Sequence, residues 1–267
     1  MRKAKTILAS LLALSLAGSA LAQPATPPFG GQGPQGPRPQ GQAPQGPRQW
    51  NQDVDRSQND LTLDMYFIPV GAQDSRPDSE GFIRRWSLLD PIDKPNRTNT
   101  VFTDSYIREA FAAEYFPEQM TLLPKDGQKV KLDKKTTLQW HNFDSRLYNV
   151  KLFRFASELD HQVYGVIFWA VTAIDVEEDL VDVRLSVGSN SASMWWIDGQ
   201  EAVILSGDRR MVADDCASKR LTLTKGRHII RGAVINGPGM SDFCVRIVDE
   251  CGKPVRNYSV STNYATK

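Results

Sequence analysis

The sequence predicts an all-β protein: a jelly-roll-like antiparallel β-sandwich with a short helical segment, preceded by a disordered linker. Three observations predict it. The second half of the chain is built from short apolar, aromatic and β-branched runs of strand length. Turn signals separate those runs, among them Asp198-Gly199, Lys225-Gly226 and residues 236–239, Asn-Gly-Pro-Gly. Strands punctuated this closely fit antiparallel sheets better than an alternating α/β order.

The elements follow in order. Arg2, Lys3 and Lys5 precede an apolar run from Ile7 to Leu16, and Ala20-Leu21-Ala22 closes it. That order marks residues 1–22 as a signal peptide cleaved before Gln23. The run is shorter than the roughly 20 residues that span a bilayer, and no cysteine adjoins the cleavage site to take a lipid anchor. Residues 23–59 are rich in Gly, Pro and Gln. Too little apolar surface is present to offset the entropy of ordering them, so a disordered linker is expected, either a tether or a plain spacer. Residues 60–262 form the sandwich domain and 263–267 a C-terminal tail. A helix capped by Asp104 or Ser105 runs to about Tyr115, with Ile107, Phe111 and Tyr115 at helical spacing and Pro117 beyond. Strands are expected at 164–174, 181–187, 193–197, 201–205, 220–224, 228–235, 243–248 and 257–261. In the second of these, Val181, Val183, Leu185 and Val187 alternate onto one buried face. Trp86 and Trp169 belong to the core, and no internal repeat is evident.

The formal net charge is +1; removal of the three basic residues of the signal leaves about −2. A near-neutral chain has no electrostatic footprint for nucleic acid or an anionic membrane. Three cysteines, Cys216, Cys244 and Cys251, allow one disulfide with a thiol left over, or three unpaired thiols. An extended chain carries Cys244 and Cys251 farther apart than the about 7 Å a bridge tolerates, so any bridge would use Cys216.

Three stretches carry a resemblance to a known family. Residues 82–92, FIRRWSLLDPI, look like the opening strand of sandwich modules in secreted bacterial polysaccharide-degrading proteins. Residues 185–199, LSVGSNSASMWWIDG, resemble their strand–loop–strand, and 221–228 with 233–237 resemble their closing hairpin. These modules are similar to galactose-binding-like and protective-antigen-type carbohydrate-binding domains, and many are labelled acetylxylan esterase. The resemblance spans most of residues 82–260. It implies a non-catalytic module that binds plant-type polysaccharide, with xylan one candidate, secreted or held in the periplasm. Where calcium-dependent relatives place paired aspartates, this chain has Ser189-Asn190-Ser191. Without those carboxylates a hard cation loses its best ligands, so no metal and no cofactor is expected.

The ligand-binding residues expected from the sequence are Trp195, Trp196, Asn190, Asp198, Arg209, Arg210 and Asp242. The two tryptophans are adjacent on a strand and so point to opposite faces. One is expected in the core and the other as a platform for sugar C–H faces, unless both serve packing. The remaining five would hydrogen-bond hydroxyls. No catalytic residue is assigned. Gly-x-Ser-x-Gly is absent, and the nearest imitation is Gly188-Ser189-Asn190 with His141, His161 and His228 as bases. The partners expected are a polysaccharide or oligosaccharide and an enzyme that the module would serve, with no nucleic acid and no membrane insertion. Two other functions stay open: a carbohydrate esterase of the acetylxylan type, and a protein-docking or structural module of the cell envelope.

Overall fold

The computed structural model describes residues 63–265. The expected signal peptide and linker lie outside the described residues. The first half contains β1 (Phe67–Pro69), β2 (Arg85–Leu89), β3 (Ile92–Asp93), α1 (Asp104–Ala112), β4 (Lys129–Lys131), β5 (Thr137–Ser145) and α2 (Leu152–Glu158). The second half contains β6 (Val166–Val176), β7 (Leu180–Ser189), β8 (Ala192–Ile197), β9 (Gln200–Leu205) and β10 (Cys216–Ala217). It closes with β11 (Leu221–Leu223), β12 (Gly226–Asn236), β13 (Phe243–Val248) and β14 (Tyr258–Ser261). Every strand pairing is antiparallel. The fold is all-β with short helices.

A ten-stranded sheet is organised around β6. One edge of β6 pairs with β12 along its full length. Its other edge is shared end to end by β14, β2 and β3. A four-stranded sheet is centred on β7, which lies between β13 on one side and β10 and β11 on the other. The side chains of β6 explain the layering. Val166, Phe168, Ala170 and Ile174 point into a core shared with Val183, Leu185, Val187, Val245 and Ile247 of the small sheet. Ile167, Trp169 and Val171 point the opposite way, into a second core with Phe102, Ile107, Ala110, Phe111 and Phe116. A strand apolar on both faces must be covered on both, and the segment around α1 covers the second.

Local sequence accounts for most elements. Asp198 and Gly199 take φ values of 50° and 77°, the left-handed pair that a two-residue hairpin requires, and they join Ile197 to Gln200. The cap of α1 is Thr103 rather than Asp104 or Ser105: its hydroxyl accepts from Tyr106 N at 3.3 Å. α1 ends at Ala112, and Tyr115 lies beyond it with its hydroxyl donating to Ala110 O. The expected single buried face of 181–187 is broken at its start, because Val181 is 63 % exposed. Asp182 adopts φ 57°, and β11 pairs Leu221 with Val183 but Leu223 with Leu180. That extra residue is a β-bulge, which turns Leu180 inward in place of Val181. Residues 263–265 are tied to the sheet. Tyr264 donates to Val171 O, and Arg227 donates to the carbonyls of Asn263 and Ala265. Among the described residues no helix is long and apolar enough to cross a membrane.

All three thiols are free. Cys216 and Cys244 pair to opposite edges of β7, opposite Val187 and Gly188. Two strand spacings of roughly 4.8 Å hold them beyond bridging distance. Burial pushes the Cys244 thiol up to about 12. A thiol reagent is therefore expected to modify exposed Cys251 in the folded protein, and Cys244 only after unfolding. Gly232 sits opposite Trp195 on the neighbouring strand, and a Cβ there would lie 2.3 Å from the indole. Gly232→Ala is expected to destabilise the fold by about 1–3 kcal/mol, the usual cost of overpacking, as read by urea denaturation.

Candidate functional site

Of the seven residues expected to bind a ligand, Trp195, Trp196 and Asp242 are buried, while Asp198 and Arg210 are exposed. Trp195 and Trp196 do point to opposite faces, but both are buried, at 0 % and 7 % exposure. Trp195 packs against Trp86 and Phe243 between the sheets. Trp196 stacks on Trp169 at 5.9 Å and meets Phe111 of α1. The expectation of one exposed platform fails because the cover supplied by α1 hides the outer face. Asn190 and Asp242 are brought together, yet as a closed network. Asp242 accepts from Asn190 Nδ2 at 2.6 Å, Asn149 Nδ2 at 2.5 Å and Lys151 Nζ at 2.8 Å, and is 3 % exposed. Asp198 accepts from Ile229 N and lies 2.6 Å from His228 Nδ1, bracing its own hairpin. Arg209 pairs with Asp215 and donates to Ser206 O, while Arg210 is exposed. The Ser189 hydroxyl is buried and bonds to Ser191 O in the following loop and to Ser193 Oγ on β8.

A groove lies instead where four segments distant in sequence meet: the stretch after β2, the chain leaving α1, the β4–β5 hairpin and the loop after α2. One cavity of about 570 Å³ is lined by Ile92, Asp93, Glu114, Tyr115, Asp133, Thr136, Asp160, His161 and Gln162, among others. A second, of about 300 Å³, shares Asp93 and Gln162 and adds Asn96, Arg97, Tyr164 and Gly165. None of the seven expected residues lines either cavity.

Each wall has a local cause. α2 buries Leu152, Phe155 and Ala156 and ends at a left-handed residue, Asp160 with φ 63°. Asp160 N donates to Ser157 O and His161 N to Ala156 O, the paired bonds of a Schellman motif. That stop delivers His161 and Gln162 to the groove. Asp133 closes the opposite wall by accepting from Lys135 N, Thr136 N and the Thr136 hydroxyl. Those backbone bonds hold its carboxyl below the usual range. Gly165, at φ 64°, lets residues 94–96 lie against the start of β6, and Lys94 N donates to Gly165 O at 2.7 Å. Tyr164 beside it is 49 % exposed, with Phe153 behind its ring at 5.9 Å.

Asp90 holds the lining residue His161 from inside the fold. It is 5 % exposed, and its Oδ1 lies 2.9 Å from His141 Nε2 and 3.1 Å from His161 Nε2. Its Oδ2 accepts from Gln139 N at 2.8 Å. Burial works to raise the Asp90 pKa. The hydrogen bond from His141, the Gln139 N–H and the two imidazoles outweigh burial and hold it below the ordinary value of 3.8. Among the described residues no group of three or more His, Cys, Asp or Glu is arranged to hold a metal ion. Tyr115 keeps its proton, since burial first and neighbouring Tyr106 second raise its pKa.

No family model matches the chain, and no curated protein matches it. Two solved structures are similar. One, a PA14 sugar-binding domain from an RTX adhesin, is 10 % identical, covers 66 % of this chain and 96 % of its own length, and has a TM-score of 0.39. The other, the PA14 domain of the MpAFP antifreeze protein, is 11 % identical, covers 73 % and 100 %, and has a TM-score of 0.37. At these scores the likeness carries no argument about this chain.

The Asp90 cluster has a defined pH signature. A carboxyl with a lowered folded pKa stabilises the fold fully above its unfolded value, and that contribution is lost as pH falls through the folded pKa. Asp90→Asn is expected to be less stable than the parent at neutral pH. The gap should narrow only below the ordinary value of 3.8, as followed by denaturation across an acid pH series.

Proposed function

We propose that the chain is an exported accessory module that binds polysaccharide in this groove without chemistry of its own, with xylan the first plant-type polymer to test. The observation that carries the reading is Tyr164, a half-exposed ring beside Phe153 at the edge of a groove whose polar lining includes Asp93, Glu114, Asp133, Asp160 and Gln162. Sugar rings offer apolar C–H faces to such a ring, while their hydroxyls suit Asp93 and Gln162 as hydrogen-bond partners. Flat aromatic area combined with a few convergent polar groups is the usual composition of a small-molecule site. The esterase alternative has less support, because Ser189 is buried and no hydrogen bond joins it to a histidine. A role in docking onto a partner enzyme is compatible with glycan binding, since an accessory module would act by keeping enzyme and substrate close.

The test is a pull-down of the purified protein on insoluble xylan and on cellulose, with Tyr164→Ala alongside. Tyr164→Ala is expected to weaken retention by about tenfold, the scale of one aromatic contact of roughly 1.5 kcal/mol, with the melting temperature unchanged. Retention that is equal in parent and variant would move the site away from the groove. No retention on any glycan would leave the docking role as the better account.

A further inference from the structure

The larger cavity of the groove has a charge of its own, unlike the chain as a whole. The larger cavity is lined by four carboxylates, Asp93, Glu114, Asp133 and Asp160, and by no lysine or arginine. The one titratable base in its lining is His161, whose Nε2 already faces the Asp90 carboxylate. The nearest cations sit at the margins. Arg97 belongs to the smaller cavity. Lys94, Lys131, Lys134 and Lys135 flank lining residues in sequence without lining the cavity.

Resting on the glycan reading, we infer that the groove selects its ligand by charge: it prefers polysaccharide with free amino groups and rejects polysaccharide with carboxylates. The site itself stands on the groove and on Tyr164; the carboxylates decide what may occupy it. An ammonium on a sugar ring placed between Asp93 and Glu114 gains two charge-assisted contacts. A uronate placed there meets like charges at short range, partly screened by salt. Asp133 stays ionised through its backbone bonds, so the field persists into mildly acid solution, where amino sugars are protonated.

The experiment measures binding of the whole protein to three soluble hexamers, of xylose, of glucosamine and of galacturonic acid, by calorimetry at pH 6 in low and high salt. The glucosamine oligomer is expected to bind about tenfold tighter than the xylose oligomer at low salt, two exposed ion pairs contributing roughly threefold each. High salt should bring that ratio toward one, and the galacturonic oligomer should not bind. In Asp93→Asn/Glu114→Gln the ratio should fall toward one even at low salt, whatever happens to each affinity separately. Galacturonic oligomer bound as tightly as xylose oligomer, or a ratio unchanged in the double variant, overturns the charge preference alone. Binding of none of the three overturns the glycan reading together with it.

Discussion

The rest of the structure depends on one strand that is apolar on both faces. From Val166 to Val176, β6 sends alternate side chains into two cores, with Phe168 on one side and Trp169 on the other. Neither face can be left to water, since each large side chain would forgo roughly 1.5–3 kcal/mol of burial. The small sheet around β7 covers one face. The other recruits α1 and the irregular chain on either side of it, which contribute Phe102, Ile107, Phe111 and Phe116.

The groove is a by-product of that second cover. Ile92, Leu132, Leu138 and Tyr115 pack at the margin of the second core and also form the apolar part of the groove wall. The polar lining comes from the same short segments, where they turn back toward solvent: Asp93 at the end of β3, Asp133 in the β4–β5 hairpin, His161 beyond α2. Asp90 ties two of the walls together, since it meets His141 on β5 and His161 after α2. Loops carried on a rigid sheet are the part of a fold most open to sequence change.

The sheet was legible in the sequence wherever a single physical signal dominated. The run 164–174, the Asp198-Gly199 hairpin and the strand 243–248 needed only β-branched content and turn chemistry. β5 was not legible, because Thr137–Ser145 mixes charged and polar residues and lies half-buried between other strands. α2 escaped because it is seven residues long, lacks a side-chain N-cap and ends on Asp rather than the usual Gly or Asn. Val181 and Leu180 exchanged roles through a bulge that periodicity cannot foresee. The burial of both tryptophans has a tertiary cause. Trp195 and Trp196 carry a clear alternation, but whether the outer face meets water depends on α1, some eighty residues earlier. The groove residues come from four separate segments, and Tyr164 was absorbed into the apolar run that follows it.

Sharing one strand between two cores has a consequence for how the protein can change over time. A substitution in β6 falls in one or the other of two large cores, and a side chain on Gly232 of neighbouring β12 would meet the indole of Trp195. The positions that shape the groove, such as Asp93, Gln162 and Arg97, are solvent-exposed and contribute little to either core. The molecule thus separates a frame that can scarcely drift from an exposed polar rim that can be rewritten at little cost in stability.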